Sequence, residues 1–304
     1  MLDKFYYNNW NVGVIEQDIN SILFDNNPHY KINWIQHNYR DRFFADPFVY
    51  SVDKDEIKIL VEEFLYTDKV GHISLLTIDR HTWRLLSIDV IIKQPFHMSY
   101  PFLILDDYGC DCLIPEASMS GLLCCYNISL STGRPINQRP IIPEPLCDST
   151  IIYYKNKYYL FATKRGLDSN SKLYIYYSDK ITGPYVAHKK NPVVCDSALA
   201  RPAGNMYMTE DGSLFRLTQK NDKYYGETVN LTRIDILDEE NFEETLVKRF
   251  PKHTGKYKDG FHTLNGKDGI CVVDGFYREF SPLRKVVYEM MNLVNQKKTQ
   301  GKWF

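Results

Sequence analysis

From Phe43 onward, short apolar runs alternate with polar turns, and the runs recur in a fixed order. Asp46-Pro47-Phe48-Val49-Tyr50 leads through the charged turn Asp53-Lys54-Asp55-Glu56 to the run 57–64, and a loop then delivers 72–79. Runs of this length, rich in β-branched and aromatic residues and bounded by turn formers, predict strands. The same succession returns at 100–105, 112–116 and 121–128, and again at 149–154, 158–163 and 173–178 around the turn Lys155-Asn156-Lys157. A fourth copy runs through 204–208, 213–219 and 228–234, while a fifth, 262–265 and 270–275, stops short of outer strands.

One polar residue marks the start of each copy: Asp46, Tyr100, Asp148, Arg201 and His262, which by position lie 54, 48, 53 and 61 residues apart. A period of this size holding three or four strands predicts a β-propeller, in which no blade can bury both of its faces alone. The expected fold is therefore all-β, a five-bladed propeller filling 1–304 as a single domain. The N-terminal segment 1–42 carries a strand at Trp10–Ile15, expected to complete the fifth blade and close the ring. Ser281-Pro282, followed by apolar residues at helical spacing, predicts a C-terminal helix over 281–297. That helix would pack on the rim, or offer a homodimer or membrane-surface contact through Met290, Met291 and Lys297-Lys298.

Composition narrows the partners. A net charge of -1 over 304 residues gives no basic surplus for a polyanion, so no nucleic-acid partner is expected. The seven cysteines sit mostly in apolar, strand-like surroundings and read as reduced core thiols, without the spacing of a structural zinc site. No basic segment followed by an apolar run opens the chain, and no stretch reaches the ~18 apolar residues of a spanning helix, so a soluble, cytoplasmic protein is expected. Phosphate-binding glycine motifs, nucleophile elbows and metalloprotease motifs are missing from the sequence, and no cofactor and no metal ligand set is expected, with a calcium or sodium ion in the channel left open.

The repeat itself supplies the candidate chemistry, because inner-strand starts crowd around the propeller axis. Asp46, Glu116 and Asp148 are the carboxylates brought there. Glycoside cleavage uses two carboxyl groups of unequal pKa, and a third nearby raises the acid by like-charge repulsion. Asp46 is the expected base or nucleophile, Glu116 the acid and Asp148 the modulator. Arg201, His262 and His97 are expected to bind substrate, with Tyr100, Gln219 and Tyr225 as stacking or hydrogen-bonding residues. Alternation lets only one of Glu62 and Glu63 face the channel; Glu63 is the expected member, with solvent accounting for the other.

Several strings at these positions, among them Ala45-Asp46-Pro47-Phe48, His97-Met98-Ser99-Tyr100-Pro101-Phe102, Ile114-Pro115-Glu116, Asp148-Ser149-Thr150 and Ala200-Arg201-Pro202, occur in an order that resembles the N-terminal domain of plant glucosamine inositolphosphorylceramide transferases and its bacterial relatives. That domain is similar in turn to the propellers of glycoside hydrolase family 43 and the β-fructosidases. The resemblance covers roughly residues 40 to 280. It implies a general-base role for Asp46 and a pKa-modulating role for Asp148. The family 43 acid, a fourth-blade Glu, is replaced here by Arg201, which leaves Glu116 to take the role from another blade. The expected substrate is a carbohydrate or glycoconjugate, met by a glycosidase or transglycosidase-like protein during synthesis or trimming of a cell-surface glycan. The alternative is a non-catalytic glycan-binding or accessory module of a glycosyltransferase system.

Overall fold

The computed structural model describes residues 6–25, 29–105, 109–128 and 135–281. These residues form five antiparallel sheets, and the innermost strands of successive sheets touch one another around a full ring. The chain is a five-bladed β-propeller, as the repeat predicts.

Blade I comprises Arg42–Val52, Glu56–Leu65, Val70–Asp79 and Leu85–Ile92. Ser99–Leu105, Asp111–Glu116, Leu123–Ile128 and Pro135–Ile142 make blade II. Blade III holds Leu146–Tyr154, Lys157–Lys164 and Lys172–Ser178, the last flanked by two short segments, Val186–Ala187 and Val194–Cys195. Blade IV consists of Pro202–Met208, Leu214–Lys220, Thr228–Leu237 and Phe242–Arg249. Blade V is composite: Leu264–Lys267 and Ile270–Phe280 are joined by Tyr6–Ile15 and Asn33–Trp34 from the other end of the chain. Tyr6 pairs with Phe280 and Ile15 with Cys271, so the early strand covers the edge that the late one would expose.

The core lies between blades. Phe48 and Leu60 of blade I pack with Phe102 and Leu113 of blade II, and Phe161 of blade III packs with Met206 and Leu214 of blade IV. Leu217 of blade IV meets Leu264 and Val273 of blade V, whose Val12 and Val14 meet Ile57 and Ile59 of blade I. Both faces of a blade are thus covered, which is why strands read as apolar runs instead of strict alternation; 44–49 is buried throughout. Full burial of each such aliphatic or aromatic side chain contributes about 1.5–3 kcal/mol.

A shared irregularity aims the site residues. The inner-strand ladder breaks between Ala45 and Phe48, Ser99 and Phe102, Cys147 and Thr150, and Pro202 and Met206. Just after the break begins, Asp46, Tyr100 and Asp148 adopt left-handed φ angles of 50°, 47° and 50°. A bulge of this kind bends the strand and re-aims a side chain, and for a non-glycine residue such a conformation costs on the order of 1–3 kcal/mol. In blade IV the break is one residue longer and the positive φ, 142°, falls on Gly204, where a Cβ would lie 2.2 Å from the Leu264 carbonyl oxygen. Ala203, not Arg201, therefore holds the register position of Asp46, and Arg201 comes before the break.

One further expectation changes. Cys112 and Cys125 are joined in a disulfide instead of standing as free thiols, because adjacent strands of blade II bring them within a Cα separation of 5.9 Å. The C-terminal helix, with its proposed homodimer or membrane-surface contact, falls on 281–297 and so lies outside the described residues from 282 onward. Among the described residues no helix is long and apolar enough to cross a membrane.

Candidate functional site

Asp46 sits at the centre of a buried polar cluster between blades I and V. Its Oδ2 accepts the backbone N–H of Tyr100 at 3.1 Å and its Oδ1 accepts the Thr263 hydroxyl at 2.9 Å. Across from it, His262 Nδ1 lies 3.7 Å from Asp46 Oδ1 and 2.6 Å from Asp274 Oδ2. Asp274 is fully buried; its Oδ1 takes the backbone N–H groups of His262 and Thr263, and its Oδ2 takes that of Asp46. Burial alone would lower the imidazole, but Asp274 and Asp46 outweigh it and hold His262 at about 9, hence cationic at neutral pH. The indole of Trp10 stacks on that ring at 4.2 Å, so the N-terminal strand supplies a π face to the cation. Asp274 stays ionised: burial raises it, and the His262 pair more than compensates. Burial lifts Asp46 to about 6; His262 opposes this and the charges of Asp148 and Asp274 reinforce it.

The second half of the cluster joins blades II, III and IV. Arg201 donates from Nε to Asp148 Oδ2 at 2.6 Å and from Nη2 to Asp148 Oδ1 at 3.2 Å. The same Nη2 reaches Glu116 Oε2 at 3.3 Å, while Nη1 reaches Asn170. Gln219 adds a donor to Asp148 at 2.6 Å and spans to the Pro202 carbonyl, and Ser118 donates to Glu116 at 2.7 Å. Burial pushes Asp148 up and Arg201 pulls it down, while Glu116 crowds it under the same guanidinium. Burial prevails and lifts Asp148 to about 6, as it does Asp46, even though Arg201 and Gln219 both donate to it.

The cluster therefore brings together Asp46, Glu116, Asp148, Arg201, His262 and Gln219. Several expected roles change with it. Tyr100 is wholly buried, its hydroxyl bonded to Thr150 and to the backbone of Gly204, so it braces blade IV and contributes only its amide to Asp46. Gln219 is equally enclosed and holds Asp148 instead of reaching substrate. Tyr225, 41% exposed, is an open rim residue; it packs edge-on to His262 at 5.3 Å, with the Arg201 guanidinium 5.4 Å from its ring. His97, its side chain 30% exposed, is the other.

Glu63 is a correction. It pairs with Arg42, at 2.5 Å, and with the Ser74 hydroxyl, away from the cluster. Glu62, on the opposite face of the same strand, is the residue that feels the site: burial raises its pKa well above the usual range, and Asp46, Glu116, Asp148 and Asp274 raise it further. Neither glutamate is solvent-exposed. Asp274, a site residue the repeat does not mark, shows in the sequence only as a carboxylate closing the apolar run Ile270-Cys271-Val272-Val273.

Asp46, His262 and Asp274 place potential ligand atoms within 4.8 Å of one another. Of the three, His262 and Asp274 bond to each other while Asp46 takes the Tyr100 N–H and the Thr263 hydroxyl, so a cation among them would have to displace the His262 proton. Taken together, Asp46, Glu62, Glu116, Asp148 and Asp274 face the cations Arg201 and His262, an acid-rich balance suited to moving protons and accepting hydroxyl groups.

Residues 26–268 match the family described as glucosamine inositolphosphorylceramide transferase 1, N-terminal. Over 216 residues the chain is 32% identical to the glucosamine inositolphosphorylceramide transferase 1 of Oryza sativa subsp. japonica, a match covering 69% of this chain and 28% of that protein. The Arabidopsis thaliana protein of the same name is 31% identical over 215 residues, covering 67% and 27%. The chain thus spans little more than a quarter of the length of these relatives. Among solved structures, a thermostable family 43 glycoside hydrolase superposes with a TM-score of 0.54 at 14% identity, over 74% of this chain and 84% of that one. A family 43 β-1,3-galactosidase gives 0.53 at 12% identity, over 73% and 84%. These two likenesses concern the fold.

Proposed function

The chain belongs to the family defined by the N-terminal domain of glucosamine inositolphosphorylceramide transferase 1, a carbohydrate-related propeller, and from that premise we propose that it cleaves or transfers a glycosidic bond in a cell-surface glycan or glycoconjugate. The observation that carries this reading is the convergence of Asp46, Glu116 and Asp148 from three blades on one buried cluster beside the open rim residues His97 and Tyr225. In this reading Asp46, held by two neutral donors and lifted toward neutrality, takes the proton of the attacking water or attacks the anomeric carbon itself. Asp148 sets the field around it.

The test compares wild-type protein with Asp46→Asn on a panel of aryl glycosides of glucosamine, N-acetylglucosamine, galactose and xylose. Cleavage by wild type and a loss of 10²-fold or more in the variant, on the order of a lost general base, are expected. Equal release by both proteins would remove the reading.

One observation favours a second reading. Arg201 clamps Asp148 and Glu116, so neither carboxyl is free to deliver a proton. A non-catalytic glycan-binding module for a transferase system fits that clamp. It requires binding on a glycan array that survives Asp46→Asn, and silence across the array counts against it.

A further inference from the structure

The clamp on Glu116 leaves the site in want of an acid, and Glu62 is a buried acid of the same cluster that no guanidinium holds. It lies on the second strand of blade I, paired with Ala45 and so adjacent to Asp46 across the ladder. We propose that Glu62 is the proton donor of this site, with His97 as the residue that positions it. The proposal rests on the enzymatic reading above and deepens it.

The geometry around Glu62 differs from that of the other carboxylates. Asp148 and Glu116 are held by a guanidinium, and Asp274 by an imidazolium. Glu62 instead faces the His97 imidazole, with Nε2 3.5 Å from its Oε1. His97 Nδ1 accepts the backbone N–H of Gly71 at 3.0 Å, which places the proton of the neutral ring on Nε2, facing Glu62. Burial lowers the His97 pKa and favours that neutral form. An Nε2–H at that distance from Oε1 favours leaving Oε1 bare, which puts the acidic proton of the proposal on Oε2. Gly71 makes the arrangement possible, since a Cβ there would lie 2.8 Å from Glu62 Oε1, 2.9 Å from His97 Cε1 and 2.5 Å from the Met98 carbonyl oxygen.

Acids reach Glu62 from four of the five blades: Asp46 from blade I, Glu116 from blade II, Asp148 from blade III and Asp274 from blade V. The two cations of the cluster are engaged elsewhere, Arg201 with Asp148, Glu116 and Asn170 and His262 with Asp274. Burial and these acids raise the Glu62 pKa, the direction a general acid needs.

The step balances as hydrolysis. The bond between the anomeric carbon and the leaving oxygen breaks, its electron pair going to that oxygen, which takes the Oε2 proton of Glu62. The anomeric carbon gains the oxygen of a water whose proton passes to Asp46. Glu62 then regains a proton from solvent at the rim, and Asp46 releases one.

Leaving-group dependence tests the proposal. With full-length protein, Glu62→Gln should lower cleavage of 4-nitrophenyl glycosides of the panel by about 10²–10⁴-fold, while 2,4-dinitrophenyl glycosides, whose leaving group needs no proton, fall less than about tenfold. The basic limb of the pH profile should vanish. His97→Phe should lower kcat on the 4-nitrophenyl substrates with KM unchanged, and His97→Gln, which keeps a donor, should restore part of it. An activity-independent readout is the infrared carbonyl band of a protonated carboxyl at pH 7, expected in wild type and missing in Glu62→Gln. Equal losses on both leaving groups, or an unchanged band, overturn the proposal. Cleavage abolished by Asp46→Asn but untouched by Glu62→Gln removes Glu62 alone and leaves the enzymatic reading standing, whereas a wild type that cleaves no member removes both.

Discussion

Asp46 and Asp148 begin as the same structural object. Each sits at a bulge early in an inner strand, each has φ of 50°, and each is buried. Their surroundings then diverge. Asp46 is held by an amide and a hydroxyl, with its cation 3.7 Å away and engaged to Asp274. Asp148 is gripped on both oxygens by Arg201 and again by Gln219. One repeat position therefore yields a carboxylate held by neutral donors and another gripped by a guanidinium, and the side chains of the facing blades decide which.

The largest effect should come from loosening the scaffold half. Arg201→Met strips the guanidinium from two buried carboxylates, and breaking a buried pair in this way costs about 3–5 kcal/mol. Denaturant unfolding at pH 7.5 checks it; a loss below about 1 kcal/mol would mean that the clamp is not structural.

A smaller effect, with a pH signature, should come from the Asp46 half. His262 is raised from 6.5 to about 9, so its contribution to stability is complete below pH 6.5 and is lost as pH rises through 9. Wild type should lose on the order of 2–3 kcal/mol across that window relative to His262→Gln. Parallel stability curves for the two proteins would show that the imidazole does not titrate there. Asp46 slopes the same way at lower pH: raised from 3.8 to about 6, it makes the fold gain stability as pH falls through that interval.

The smallest effect sharpens the contrast. Thr263→Val removes one donor from Asp46 and none from Asp148. It should cost about 1 kcal/mol and move the acidic limb of kcat/KM upward by less than about one pH unit, since the lost hydrogen bond favoured the charged carboxylate. A downward move would argue that Asp46 does not carry that limb.

The repeat made the blades, Asp46, Asp148 and His262 legible, because strand order and turn chemistry are local and each residue opens a run. Arg201 drew attention for the same reason, but its register was hidden: blade IV carries a longer bulge than the others, and position counting slides past it. Bulges also defeated the choice between Glu62 and Glu63. The break after Ala45 fixes Glu62 opposite that residue, a pairing that alternation along one strand does not reveal. Tyr100 looked like a channel residue until its left-handed backbone turned it into the packing against Gly204. The Cys112–Cys125 bond depends on the pairing of Leu113 with Tyr126, again a matter of register between strands.

The most direct measurement of the contrast between the two carboxylates is chemical rescue. Asp46→Ala and Asp148→Ala would each be assayed on 2,4-dinitrophenyl glycosides with and without azide or formate, small anions able to stand in for a missing reactive carboxylate. The account predicts that Asp46→Ala loses activity and recovers it with added anion, while Asp148→Ala gains nothing from the anion. Full activity in Asp46→Ala, or rescue confined to Asp148→Ala, would contradict it.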